Sequence, residues 1–229
     1  MYYFASDIHL GAGDAATARA VERRFVAWLD DAARDAEAIF LVGDIFDFWF
    51  EYRRVVPKGF VRTLGKLAEL TDRGVRVVFF TGNHDMWVGD YLARECGLEI
   101  HTSPEVMTLS GKKVFIAHGD NMKIDGQPML KFLNRIFRSR TLRRLFSWGV
   151  HPDTGSSEPH TEPLVEYARE YSRTHAVDLF VFGHMHFPRD CREGRLHVVN
   201  LGCWAENPSY AVLDAAGELT LKMPGKTSV

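Results

Sequence analysis

Short apolar runs recur along the chain, each cut off by glycine or polar residues, and stretches of helical periodicity lie between several of them. Residues 2–5, 38–42 and 75–80 are predicted strands. Residues 17–36 place Ala20, Phe25, Trp28, Leu29 and Ala32 on one helical face, and 60–73 form a second amphipathic helix that Gly74 stops. A short helix over 91–96 ends at Gly97. Strands follow at 98–101, 106–109 and 113–117, the last two joined by the turn Ser110-Gly111-Lys112. A long helical region spans about 128–148, then come a helix over 162–175 and a strand over 179–182. Residues 196–200, 210–213 and 219–222 close the chain as antiparallel-looking strands. Strand–helix alternation followed by consecutive strands predicts an α/β sandwich, sheets inside and helices outside.

The polar residues that end these runs are unusual in kind. Asp7 and His9 follow the first strand, Asp44 and Asp47 the second, and Asn83, His84 and Asp85 the third. His118 and Asp120 follow the strand at 113–117, and His184 and His186 the one at 179–182. Each set lies just past a strand's C-terminal end, where ligands collect in open α/β sheets. A single histidine or aspartate there is ordinarily a turn former or a satisfied polar group. Five sets in order, each after a predicted strand, exceed what that reading accommodates. Carboxylate, amide and imidazole without thiolate suit Mn²⁺, Fe²⁺ or Zn²⁺ rather than Ca²⁺. In extended chain, residues i and i+2 point the same way, so D-x-H and H-x-H are expected to present both groups from one segment. Seven such ligands are too many for one tetrahedral ion and suit two ions sharing a carboxylate, a clamp for in-line displacement at phosphorus.

Composition changes this picture little. At 229 residues, 46% hydrophobic and 25% charged, the chain fits one domain over 1–229 carrying a helical insertion at about 121–165. Gly155-Ser156-Ser157-Glu158-Pro159 is the best loop candidate beside it. A net charge of −2 supplies no global field to attract nucleic acid, so no nucleic-acid partner is expected. Cys96, Cys191 and Cys203 are odd in number, far apart and without a CxxC, which argues for a reducing compartment and against a cysteine-rich zinc site. The N-terminus reads as a first strand rather than a signal peptide. A cytoplasmic location is expected, peripheral at most to the cytoplasmic face of the inner membrane.

The ordered set D-x-H, G-D-x-x-D, G-N-H-D, H-G-D and G-H-x-H resembles the calcineurin-like metallophosphoesterase superfamily over residues 3 to about 203. The resemblance implies a four-layer α/β/β/α sandwich with two divalent metal ions at one edge, most readily Mn²⁺, with Fe²⁺ or Zn²⁺ as alternatives. Carried over by motif, Asp7, His9, Asp44 and His186 would hold the first ion. Asp44, Asn83, His118 and His184 would hold the second, with Asp44 bridging. His84 would contact the phosphoryl oxygen or leaving group and Asp85 would orient His84, the two catalytic residues; Asn83 and His184 would also meet substrate. The likeness is closer to the pyrophosphatases of the lipid A pathway, which cleave a nucleotide-linked lipid. It rests on Ser6-Asp7-Ile8-His9-Leu10, Gly43-Asp44-Ile45-Phe46-Asp47-Phe48-Trp49, the helical insertion and Leu201-Gly202-Cys203-Trp204. Those enzymes are best known with arginine after the metal-binding asparagine, where this chain has His84. That departure keeps open a broader phosphodiesterase or nucleotide phosphoesterase activity on the same scaffold. A non-catalytic partner-binding module is the third reading, and the intact ligand set argues against it.

Between His118 and His184 lies a segment the metal chemistry does not require. Phe132, Leu133, Ile136, Phe137, Leu142, Leu145 and Phe146 recur at helical spacing among Lys131, Arg135, Arg138, Arg140, Arg143 and Arg144. Such a basic amphipathic stretch caps an acyl pocket or lies on an anionic inner-membrane surface, unless it only packs on the core. Asp120, Lys123 and Asp125 either touch the nucleotide or sugar or merely solvate a loop. Trp49, Phe50, Trp87 and Trp148 line a pocket or, by default, pack in the core. His151, His160, His175 and His197 read as structural, and Cys203 as buried filler.

Overall fold

The structure, a computed structural model, describes residues 1–120 and 162–224. Strands β1 (Tyr2–Ala5), β2 (Ala38–Val42), β3 (Arg76–Phe80) and β4 (Glu99–His101) lie parallel in one sheet, which β10 (Tyr210–Leu213) and β11 (Leu219–Lys222) extend beyond β1 in the order β11-β10-β1-β2-β3-β4. The second sheet runs β5-β6-β7-β9-β8, built from β5 (Glu105–Leu109), β6 (Lys112–Ala117), β7 (Leu179–Phe182), β8 (Arg189–Glu193) and β9 (Leu196–Asn200). Strand β8 has no counterpart among the predicted elements. It is a mostly polar edge strand, paired only with β9, and its charges blunt the sheet edge instead of alternating with apolar residues.

The two-residue period of the strands sets the layers. On β2, Ile39 and Leu41 face one side, where they meet Phe25, Trp28 and Leu29 of α1 (Ala15–Ala32), Leu67 and Leu70 of α2 (Val61–Asp72), and Leu92 of α3 (Tyr91–Cys96). Ala38, Phe40 and Val42 face the other side and pack on Val114, Ile116, Leu179, Val181 and Val199 of the second sheet. The far face of that sheet, with Phe115, Phe180 and Phe182, is covered by Leu164, Val165 and Ala168 of α4 (Glu162–Tyr171). The result is the expected α/β/β/α sandwich. Because β2 is buried on both faces it reads as an unbroken apolar run. Phe4 and Phe40 stack at 4.8 Å between the sheets, and each fully buried phenylalanine contributes roughly 1.5–3 kcal/mol.

Helix α1 starts before the apolar periodicity does, because the Asp14 carboxylate accepts the Thr17 N–H at 2.7 Å and caps it. The helical region expected at about 128–148, and with it most of the insertion, lies outside the described residues. Among the described residues, no helix is long and apolar enough to cross a membrane.

Candidate metal centre

Five loops converge at the C-terminal ends of β1, β2, β3, β6 and β7. The β1 and β2 loops continue their ladder beyond the strands: Asp7 N–H donates to Gly43 O (3.0 Å), His9 N–H to Asp44 O (3.1 Å) and Leu10 N–H to Ile45 O (3.0 Å). The second sheet makes the same kind of tie from Gly183 N–H to His118 O (2.9 Å). Asp7, His9, Asp44 and His184 all have left-handed backbones, with φ of 51°, 48°, 53° and 67°. This conformation costs a non-glycine residue roughly 1–2 kcal/mol, and such strain gathers at functional sites. It also corrects the expectation that Asp7 and His9 share a face through an extended chain. The backbone folds at both, Ile8 enters the core between them, and the i, i+2 spacing works through a turn.

Two glycines make the convergence sterically feasible. A Cβ on Gly43 (φ 81°) would run into the His118 imidazole and lie 2.9 Å from the Gly82 Cα. One on Gly82 would meet the Asp44 carboxylate and lie 2.7 Å from its backbone nitrogen. The glycine ahead of each ligand-type residue thus leaves room for a side chain from a neighbouring strand.

Two groups of donors result. In the first, His9 Nε2 and His186 Nε2 stand 3.2 Å apart, and Asp7 Oδ1 lies 3.5 Å from His186 Nε2 and 3.9 Å from His9 Nε2. In the second, His118 Nε2 is 3.2 Å from both Asp44 Oδ2 and Asn83 Oδ1, and a His184 ring nitrogen completes the set within 4.8 Å. Asp44 also lies within that span of His9 and His84, so its carboxylate stands between the groups. Two imidazoles on one ion, with bonds of ~2.0–2.1 Å, have nitrogens roughly 3.0–3.4 Å apart, the separation seen for His9 and His186.

The hydrogen bonds fix what each group offers. His118 Nδ1 faces Val42 O at 3.0 Å, and a carbonyl only accepts, so Nδ1 carries the hydrogen. In the neutral ring Nε2 is then a lone pair aimed at two oxygens. His84 Nδ1–H likewise donates to Asp47 O at 2.7 Å, leaving Nε2 toward the site. Asp7 Oδ1 is fully buried and makes no hydrogen bond among the described residues. Lone pairs facing lone pairs, with a buried carboxylate oxygen unpartnered among them, is a donor set that fits divalent cations.

Burial pushes the Asp7 carboxyl up, and Asp44 adds to the shift. Burial also acts on Asp44, yet His118 beside it holds that carboxyl well below the usual range. His118 is raised well above an ordinary imidazole against its own burial, by Asp44. Burial and then the His118 charge bring His184 down to about 3, so it stays neutral, and burial lowers His186 too. His9 is raised despite its burial, chiefly by Asp47 and Asp7.

All seven residues expected to ligate metal are therefore drawn together, with His84 beside them: its ring meets that of His9 edge-on at 4.7 Å. Asp85 is placed differently from expectation. Its carboxylate accepts the N–H groups of Gly82 (2.7 Å), Ile45 (2.8 Å) and Phe46 (3.4 Å), so it pins the β3 loop to the β2 loop, while Asp47 O orients the His84 ring. Burial and the nearby Asp44 push Asp85 up to about 7. Asp47 had no assigned role; its Oδ1 lies 3.4 Å from His9 Nδ1 and 3.8 Å from His84 Nδ1. Its spacing after Asp44 was the one signal available. Cys203 is buried as expected, and its Sγ stands within 4.8 Å of ring nitrogens of His9 and His186. Trp49 is core, whereas Trp87 is half-buried and meets Phe48 and Phe50 beside the site. His175 stacks on Tyr171 and His197 pairs with Asp190, both structural. Asp120 is half-buried next to His118; Lys123, Asp125, Trp148, His151 and His160 lie outside the described residues.

Comparison with known proteins bears on this geometry. The calcineurin-like phosphoesterase family matches residues 2–188. The chain is 39% identical to a UDP-2,3-diacylglucosamine hydrolase of Porphyromonas gingivalis, over 93% of each chain. It is 26% identical to the Haemophilus influenzae protein of the same name, over 94% of this chain and 96% of that one. Among solved structures, an archaeal phosphodiesterase superposes with a TM-score of 0.52 at 14% identity, covering 96% of this chain and 98% of that one.

Proposed function

The chain belongs to the calcineurin-like phosphoesterase family and is a hydrolase; from that premise we propose that it cleaves the diphosphate of UDP-2,3-diacylglucosamine, releasing UMP and 2,3-diacylglucosamine 1-phosphate. The observation that carries the reading is the convergence of Asp7, His9, Asp44, Asn83, His118, His184 and His186 on one rim, together with similarity over 93–94% of the chain to hydrolases named for that substrate.

In this reading Asp7, His9, Asp44 and His186 would hold one divalent ion, and Asp44, Asn83, His118 and His184 would hold another, with Mn²⁺ as the working choice. Such a pair lowers the pKa of water and neutralises charge on a phosphoryl group. The chain's own residues do the rest. His118 and His184 enter as neutral imidazoles, His118 once its site proton is displaced and its Nδ1–H stays on Val42 O. His84, held by Asp47 O, turns Nε2 toward the position of the phosphoryl oxygens; because Nδ1 already carries a hydrogen, Nε2 donates to them only as the imidazolium, which adds positive charge as charge develops there. Asp85 stabilises the site at one remove by locking the loops that carry Asp44 and Asn83.

The nucleotide-linked lipid needs an apolar surface near the metals, which we assign to Phe48, Trp87 and the basic helical insertion at about 121–165. The insertion would also seat the protein on the cytoplasmic face of the inner membrane. The test is UMP release from the lipid-linked UDP-sugar by purified protein. Activity supported by Mn²⁺ and abolished by chelator is expected; absence of any metal-dependent release overturns the assignment. His84 in place of arginine favours a second reading, a broader phosphodiesterase. Faster turnover of bis(p-nitrophenyl) phosphate or of nucleotides than of the lipid substrate would select it.

A further inference from the structure

Cys203 has no place in the ligand set drawn above, yet the fold aims it there. Its Sγ and ring nitrogens of His9 and His186 all lie within 4.8 Å of one another, and all three residues are buried or half-buried. The thiol is also tightly placed. The next residue, Trp204, donates its backbone N–H to Asp7 O at 2.9 Å, which ties the segment directly to the first metal-binding loop. The Trp204 ring is fully buried against Phe25 and Trp28, each at 5.5 Å, and its Nε1–H donates to Ser209 O at 2.9 Å. On the far side, Asn207 N–H closes a turn on Cys203 O at 2.8 Å. A side chain held from both sides by its own backbone has little freedom to turn away from the site.

A second observation points to a ligand at this spot. Asp7 Oδ1, fully buried and without a hydrogen bond among the described residues, is aimed at the same two imidazoles, 3.5 Å from His186 and 3.9 Å from His9. A cation bound by Asp7, His9 and His186 would therefore sit beside the sulfur. With bonds of ~2.0–2.3 Å to nitrogen and sulfur, donors on one ion stand roughly 3.3–4.4 Å apart, so adjusting the side chains by a few tenths of an ångström brings Sγ into the set.

We propose that Cys203 is a further metal ligand, placing a thiolate on the ion held by Asp7, His9 and His186. This rests on the reading of those three residues as ligands and refines it. A thiolate is softer than the carboxylates and imidazoles around it, so it raises the affinity of this position for Zn²⁺, Fe²⁺ or Co²⁺ relative to Mn²⁺ without excluding Mn²⁺ from it. The position at Asn83, His118 and His184 keeps the harder, oxygen-containing set. The centre is then chemically asymmetric. Coordination forms a metal–sulfur bond and breaks the S–H bond, and the proton leaves to solvent, one more per ion bound than the histidines and carboxylates account for.

The test uses the full-length protein, stripped with chelator and reloaded with Co²⁺. The wild type is expected to show a near-ultraviolet thiolate-to-cobalt charge-transfer band that Cys203→Ser lacks and Cys96→Ala retains. In competition between Zn²⁺ and Mn²⁺, Cys203→Ser is expected to lose about tenfold or more of the wild-type preference for Zn²⁺, on the scale at which ligand changes alter metal affinity. X-ray absorption of the zinc-loaded wild type, which needs no variant, is expected to show a sulfur scatterer. Cobalt bound with only the spectrum of nitrogen and oxygen ligands, or no sulfur at zinc, overturns the proposal and leaves the histidine site standing. Failure to bind Co²⁺ or Zn²⁺ at all overturns both.

Discussion

His118 donates its Nδ1–H to the carbonyl of Val42 at 3.0 Å, joining the end of β6 in one sheet to the end of β2 in the other. The bond fixes the tautomer, and so leaves Nε2 for Asp44 and Asn83, each 3.2 Å away. His118→Ala is expected to lower metal-dependent hydrolysis by more than the ~10–100-fold that loss of an outer-shell partner costs. Metal analysis of the purified variant, together with its turnover, checks this; full metal content with unchanged turnover would exclude His118 from the site.

Asp47 tests what stands behind the proposed ligands. Its carboxylate faces His9 Nδ1 at 3.4 Å, a carboxylate–histidine pair that sets ring orientation and basicity. Asp47→Asn is expected to weaken metal affinity by about 10–100-fold and to recover most of its turnover at saturating metal. Its backbone carbonyl, which holds His84, is untouched by the change. A turnover defect that excess metal does not relieve would contradict this division of labour.

Gly82 and Gly65 make a matched pair. A methyl group on Gly82 would strike the Asp44 carboxylate and its backbone nitrogen, whereas one on Gly65, in exposed α2 surface, meets nothing within 4 Å. Gly82→Ala is expected to destabilise by ~1–3 kcal/mol and to abolish most activity. Gly65→Ala should stabilise by roughly 0.5–1 kcal/mol with activity unchanged, since glycine is a poor residue within a helix. Thermal denaturation and a phosphodiesterase assay read both.

The apolar runs, and the ligand-type residues that end them, can be read directly, because strands buried on both faces are continuous in sequence and donors gather at their C-terminal ends. The left-handed backbones of Asp7, His9, Asp44 and His184 are not legible, since the residue types alone do not demand them. Strand β8 hides behind its charge, as an edge strand has no buried face to impose alternation. The placements of Asp85 and Cys203 are hidden for a common reason. Each acts through a loop distant in sequence: Asp85 through Ile45 and Phe46, and Cys203 beside His9 and His186.

Glu99 gives a pH dependence away from the metals. Its carboxylate accepts from Arg76 Nε (2.9 Å) and Nη2 (3.0 Å) and meets His101 Nε2 at 2.6 Å, where β3 pairs with β4. Partial burial would raise its pKa, but the bonds from His101 and Arg76 prevail and lower it from 4.5. A depressed folded-state pKa contributes stability that is fully present above 4.5 and is lost as pH falls through the folded value. The pair is substantially exposed, so screening limits the contribution to about 0.2–1 kcal/mol. Glu99→Gln should therefore be less stable than the wild type at neutral pH, and the difference should close in acid. A gap that widens as pH falls would reverse the assignment.

His84 decides how the reaction is helped along. Its Nδ1–H is committed to Asp47 O and its ring packs edge-on against His9, so only Nε2 can reach a substrate oxygen. Cleavage of a diphosphate expels a phosphate ester, which departs without needing a proton, so positive charge and hydrogen bonding matter more than acid catalysis. His84→Ala is expected to reduce turnover on the lipid diphosphate by about 10²-fold while metal content stays at the wild-type level. His84→Arg, which restores a cationic donor but cannot act as an acid near neutrality, should recover most of that loss. Substrates with poorer leaving groups reverse the order, because there a transferable proton counts. If His84→Arg were as slow as His84→Ala on the diphosphate, proton donation by the imidazole would be the dominant contribution and the electrostatic account of this residue would fall.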